Sequence, residues 1–208
     1  TDRSVIEAIK ALSDAGKQVM YYPFILMDQF EGNTLPDPYS DNTFQPNLPW
    51  RGRITLSEAP GRASSPDGTA AADAEVAAFF GTVTAAHFGV AGGEVSYTGP
   101  DEWTFTRFIL HNAALCAAAG GVEAFCIGSE MRALTQIRDD QGFPAVAALR
   151  DLTQQVRQIL GAKTKIGYAA DWSEYWGYKS PEGNRYFHLD PVQFNYSLLT
   201  RSQRISHE

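Results

Sequence analysis

The sequence predicts an α/β fold organised on a parallel sheet, and three observations predict it. Short apolar runs alternate with segments of helical periodicity along the chain. The run at 122–127, between the pair Gly120 and Gly121 and the single Gly128, is nearly all apolar, as a strand buried on both faces requires. Three strand-like runs each lead to a carboxylate, Asp28 and Asp171 directly and Glu130 through Gly128 and Ser129. In parallel α/β sheets that edge, past the C-terminal ends of the strands, is where ligand sites form.

The elements follow in order. Residues 4–15 set Val5, Ile9 and Leu12 on one helical face, with Asp2 or Ser4 as N-cap and Gly16 just past the end. Residues 19–27 are continuous, apolar and aromatic, and predict a buried strand. Pro23 removes a ladder donor, so a bulge or an early strand end is expected there. Residues 28–68 are dense in Pro, Gly, Asn and Asp. A loop of that length in a compact domain is functional or disordered as a rule. Phe30, Tyr39, Phe44 and Trp50 favour an ordered excursion over the sheet edge, packed by those rings.

A second helix is expected from about 65–69 to His87, with Val76, Phe79, Phe80 and Val83 as its stripe. Residues 90–99 read as a Gly-rich connector. Pro100, Asp101 and Glu102 open a third helix that ends at Gly120, and the Glu130 strand comes next. Residues 131–142 read as a polar loop with one helical turn. Pro144 starts a fourth helix whose Leu149, Leu152, Val156 and Ile159 recur at three and four, and Gly161 stops it. The strand at 164–170 leads to Asp171, and Trp172, Glu174, Tyr175, Trp176 and Tyr178 follow within one loop. Successive strand–helix–strand units imply parallel pairing.

The 208 residues, 44% hydrophobic, suffice for one domain with a real core. A net charge of −7 and a pI near 5.1 offer no basic footprint for nucleic acid or an anionic membrane. No apolar run is long enough to span a bilayer. The chain opens on Thr1 without a signal-peptide pattern and reads as a piece of a longer polypeptide. Cys116 and Cys126 fall on apolar surfaces and read as buried thiols, with a disulfide between them left open. The four histidines are dispersed and no ligand spacing appears, so neither a metal nor a cofactor is assigned.

Carboxylates beside indoles and phenols suit a sugar better than a phosphate, because aromatic faces stack on pyranose rings while carboxylates accept from hydroxyls. Glycoside hydrolysis needs one carboxyl to protonate the leaving oxygen and a second as nucleophile or base. Glu130, following Phe125, Cys126 and Ile127, is the candidate acid, in partly apolar surroundings. The bland alternatives are that Glu130 pairs with Arg132 at a helix start, and that Trp172, Tyr175 and Trp176 pack under their loop.

Several separated motifs then carry a resemblance. They are Phe108-Ile-Leu-His-Asn, the stretch from Ala119 through Gly128-Ser-Glu-Met-Arg to Thr135, Ile166-Gly-Tyr-Ala-Ala-Asp-Trp-Ser-Glu-Tyr175, and His188-Leu-Asp-Pro191. The stretch Pro49-Trp-Arg-Gly-Arg-Ile-Thr55 joins them. Together, over about residues 1–191, they resemble the glycoside-hydrolase-like TIM-barrel domain of large tail proteins in gene transfer agents and related phages. More distantly, the motifs around Glu130 and Asp171 are similar to those of retaining β-mannanase-type barrels. That resemblance implies Glu130 as general acid/base, and the shared rim makes Asp28, Asp171, Trp172, Tyr175 and Trp176 the candidate substrate contacts. Asp171 stands where those enzymes carry an Asn, which loosens its assignment.

The resemblance implies a partial (β/α)8 barrel with a long insertion, holding strands three to five. Residues 192–199 are a candidate sixth strand, and the tail 192–208 departs from the family pattern. The nucleophile expected after a seventh strand is not found, and Glu174 or Asp171 are weak substitutes. A closed barrel takes roughly 250 residues. The expected partners are cell-surface glycan and other tail or baseplate proteins, on a tail-like particle assembled in the cytoplasm and acting outside the recipient cell. The alternative is a non-catalytic glycan-binding or structural module of the tail hub.

Overall fold

A computed structural model of the chain describes residues 1–27, 29–47, 50–180 and 182–189. Asp28, the candidate strand at 192–199 and the tail to 208 lie outside the described residues.

Helix α1 (Asp2–Asp14) is capped by Thr1, whose hydroxyl accepts from the Ser4 amide, rather than by Ser4 or Asp2. It leads to β1 (Met20–Tyr21), much shorter than the apolar run suggested. The ladder stops before Pro23, which has no amide hydrogen to donate. Helix α2 (Ala70–Phe80) is shorter than its stripe because Gly81 ends it in the left-handed region, at φ 79. A β-carbon on Gly81 would also meet Glu102 Oε1 at 2.3 Å. That carboxylate accepts from the Thr82 and Val83 amides and fastens the helix end to the segment before α3.

Residues 90–99 are not a plain connector. They lie in a hairpin, β2 (Phe88–Ala91) with β3 (Glu94–Tyr97), closed by Gly92 and Gly93 at φ 60 and 80. Two successive positive φ values are what a tight two-residue hairpin turn demands, and glycine meets them without a β-carbon clash. Helix α3 (Phe105–Ala118), β4 (Ala124–Ser129), the single turn α4 (Arg132–Thr135), α5 (Pro144–Leu160) and β5 (Lys165–Ala169) follow. A second small hairpin, β6 (Tyr178–Lys179) with β7 (Arg185–Tyr186), occupies part of what read as loop.

Strands β1, β4 and β5 form one parallel sheet in that order, with β4 central. All six residues of β4 are buried, as the unbroken apolar run required. Helix α1 packs on α3, α3 on α5, and both α3 and α5 on β4. Helices that touch one another in series stand on one face of the sheet, the arrangement of a barrel wall rather than of a doubly wound sheet. Among the described residues the sheet has three strands and does not close.

The core lies between this sheet and the helices, around Ile109, Leu110, Phe125, Leu149, Val156 and Ile166. Fully burying one such side chain contributes about 1.5–3 kcal/mol. Cys116 and Cys126 are both buried and free, on α3 and β4.

The excursion after β1 is tied down mainly by polar contacts, among them the Tyr39 hydroxyl donating to the Arg53 carbonyl at 2.9 Å. Phe30, Phe44 and Trp50 are exposed, and of the four expected rings Tyr39 packs within the loop, under the Arg53 guanidinium at 4.3 Å. Leu56 and Ala59 supply buried apolar contact instead. Arg138 forks onto Asp67 at 2.7 Å and 3.1 Å, and its carbonyl takes the Gly68 amide. The returning arm of the loop is thereby held beside α4.

Candidate functional site

The site begins with an irregularity in β4. Cys126 pairs with Gly167, but Ser129 pairs with Ala169, so β4 carries one residue more than β5 over that span. A bulge of this kind bends the strand and re-aims the side chains after it. Glu130 follows at φ 49, and its amide donates to the Ala169 carbonyl at 2.8 Å. It has positive φ without being glycine, a conformation that costs of order 1–3 kcal/mol and persists where neighbouring bonds impose it. The next amide, of Met131, donates to the Tyr168 hydroxyl at 2.8 Å. Both peptide groups flanking the Glu130 α-carbon are therefore held by β5.

The Glu130 side chain is 38% exposed and takes a hydrogen bond from Arg51 Nη2 at 2.7 Å. Arg51 sits on a 3-10 turn (Arg51–Arg53) of the long loop, which packs against α4. Its guanidinium also donates to the Ser129 carbonyl at 2.9 Å and the Ser129 hydroxyl at 2.7 Å, and it covers the Phe24 ring at 4.8 Å. The Tyr22 hydroxyl bonds the same Ser129 hydroxyl. The partner of Glu130 is thus a distant arginine, not the neighbouring Arg132, and its surroundings are more polar than the apolar residues before it suggested.

The other carboxylates take different places. Asp171 caps the 3-10 turn Trp172–Trp176, accepting from the Ser173 amide at 2.9 Å and from the Ser173 hydroxyl. Glu174 reaches back to the Asp171 amide at 2.7 Å, completing a reciprocal cap. Glu174 is 1% exposed and also accepts from the Thr135 hydroxyl at 2.7 Å and from Tyr168 at 3.2 Å. Burial pushes its pKa up, against the lowering pull of those hydrogen bonds. His188 Nε2 lies 3.4 Å from the same Thr135 hydroxyl. Of the two weak substitutes for a second carboxyl, one is a turn cap and the other is enclosed in the protein.

Trp172, Tyr175 and Trp176 are not packed under their loop: they are 80%, 52% and 53% exposed. Tyr175 and Trp176 meet edge to face, with ring centroids 5.3 Å apart. They follow β5 as Glu130 follows β4, so neighbouring parallel strands deliver them to the same end of the sheet. A hollow of about 340 Å³ belongs to the long loop, between Asp37, Tyr39, Gln45 and Arg53, and Glu130 does not line it. Among the described residues no group of three His, Cys, Asp or Glu side chains is placed to hold a metal ion.

Sequence reading missed Arg51, Tyr22, Ser129 and Tyr168 as parts of the site. The one available signal was the Trp50–Arg53 stretch, cationic and Gly-containing inside a long loop. Its partner 79 positions away is not encoded locally.

Fold and site together describe an α/β domain with a one-sided helix layer and an acidic, aromatic rim. Residues 103–197 match the GTA TIM-barrel-like domain family, a match that begins just before α3 and includes β4, β5 and the rim. It is consistent with a gene transfer agent domain of TIM-barrel-like architecture, and the loop carrying Arg51 precedes it. No curated protein matches the chain. No described helix is long and apolar enough to cross a membrane.

Proposed function

We propose that this chain is part of a glycoside-hydrolase-like, partial (β/α)8 barrel of a phage-like tail, and that its rim grips cell-surface glycan. The observation that carries the reading is that the exposed rings of Trp172, Tyr175 and Trp176 leave the parallel sheet at the same end as the Glu130–Arg51 pair. Stacked rings supply apolar contact to a pyranose face, and an ion pair offers both acceptor and donor to its hydroxyls. In this reading the domain acts outside the recipient cell, with other tail or baseplate proteins as its neighbours.

Binding is favoured over cleavage by what Glu130 and its neighbours are doing. A carboxylate engaged by a guanidinium must release it before handing a proton to a leaving oxygen. The second carboxyl that hydrolysis requires has no occupant in Asp171 or Glu174, both committed to the turn at 172–176. Hydrolysis with Glu130 as general acid/base stays as the second reading because its side chain stands open past the strand end.

The test is a glycan array with the wild-type chain, followed by titration of any hit and an assay for new reducing ends. Binding without new reducing ends supports the module. Cleavage that Glu130→Gln abolishes supports the hydrolase, and an array with no hit removes the glycan altogether.

A further inference from the structure

The buried carboxylate of Glu174 lies behind the rim and has no part in glycan contact. It is fully enclosed, yet it collects bonds from three segments: the Thr135 hydroxyl at the end of α4, the Tyr168 hydroxyl on β5 and the Asp171 amide after β5. The Tyr168 hydroxyl gives its proton to a Glu174 oxygen and so presents a lone pair to the Met131 amide at 2.8 Å. Met131 is the residue after Glu130. Thr135, in turn, closes the helical turn whose first amide-to-carbonyl bond runs back to Met131 at 3.0 Å.

We infer that Glu174 is a positioning residue for Glu130, acting through the Tyr168 hydroxyl and through Thr135 to hold the backbone of 130 and 131 in its left-handed turn. The inference rests on the reading of Glu130 as a ligand contact. Without the Tyr168 acceptor the Met131 amide is a buried donor with nothing to hold it, and Glu130 is released from its positive φ. The carboxylate then leaves the place at which Arg51 and a bound sugar meet it. A neutral Gln at 174 can keep the arrangement, since its oxygen accepts from Tyr168 and Asp171 while its amide donates to Thr135.

The experiment is amide hydrogen exchange at Met131 by NMR in the whole chain, read against the amides of β4, together with titration by an oligosaccharide identified on the array. Tyr168→Phe and Glu174→Leu should speed Met131 exchange at least tenfold relative to β4 and weaken the sugar by a similar factor, whereas Glu174→Gln keeps both. Reading exchange against β4 separates this local release from a general loss of stability. Met131 protection unchanged in Tyr168→Phe overturns the inference. Protection lost with sugar affinity intact overturns it too, because Glu130 is then not being positioned for anything. If the wild type binds no sugar while Met131 responds as expected, the positioning stands and the glycan reading falls.

Discussion

Arg51 and Glu130 meet at 2.7 Å although 79 positions separate them, and the same guanidinium grips both oxygens of Ser129. The contact joins the tip of a long excursion to the bulged end of the central strand. One side chain therefore both closes the loop over the sheet and sets what Glu130 faces. Arg51 has 13% of its side chain exposed, so these bonds are worth more than those of a surface pair.

Replacing Arg51 by Ala should destabilise the chain by about 1.5–3 kcal/mol, the range for hydrogen bonds to charged groups. Urea denaturation measures it, and limited proteolysis should cut the 28–68 loop faster. Glu130→Gln should cost less, about 1 kcal/mol or below, because that end of the pair is half in water.

The conformation at position 130 gives a second expectation. Glu130→Asn should stay within about 1 kcal/mol of wild type, since Asn accepts positive φ. Glu130→Val should lose about 1–3 kcal/mol, because a β-branched side chain does not. A Val variant as stable as the Asn variant would show that the turn is not held at positive φ in solution.

Glu174 makes stability depend on pH with a definite sign. Its folded pKa is raised above the ordinary value of 4.5, with burial as the main cause. A raised carboxyl contributes stability that is fully present below 4.5 and is lost as pH climbs through the folded value. Glu174→Gln, which does not titrate, should therefore gain on the wild type in melting temperature as pH rises through that window. Parallel Tm–pH curves for the two would refute the shift.

The buried thiols should be inert in the folded state. Burial pushes Cys126 up to about 11 and Cys116 up to about 12, so little thiolate exists at pH 8. A thiol-reactive dye at pH 8 should label neither until denaturant is added. Rapid native labelling would place one of them at the surface.

The exposed rings make the last test. Trp172→Ala and Trp176→Ala should each weaken a bound glycan by roughly three- to tenfold, the worth of one aromatic contact of about 0.5–1.5 kcal/mol. Their exposure predicts no comparable loss of stability. Unchanged affinity in both variants would remove the aromatic platform from the site.

Most helices and the parallel strands were legible because periodicity and breakers are local. The run before Gly128 specified a strand buried on both faces, and Leu149, Leu152 and Val156 specified α5. The 88–97 hairpin was missed because its two glycines resemble a flexible connector until the flanking strands are seen to pair. The ring packing expected of the long loop failed at Phe30, Phe44 and Trp50 for a different reason. Aromatic content says that rings exist, while ion pairs such as Arg138–Asp67 decide where the chain lies.

By itself the sequence determined which residues must be buried, where helices stop, and that carboxylates follow the strands, since solvation and backbone sterics act over a few residues. Only the tertiary structure decided that Glu130 faces Arg51, that Asp171 and Glu174 serve a turn, and that the rings beyond them stay in water. Those outcomes depend on which distant segments the fold brings within hydrogen-bonding reach. A carboxylate's task is set by the donor beside it, and the donor here comes from the other half of the chain.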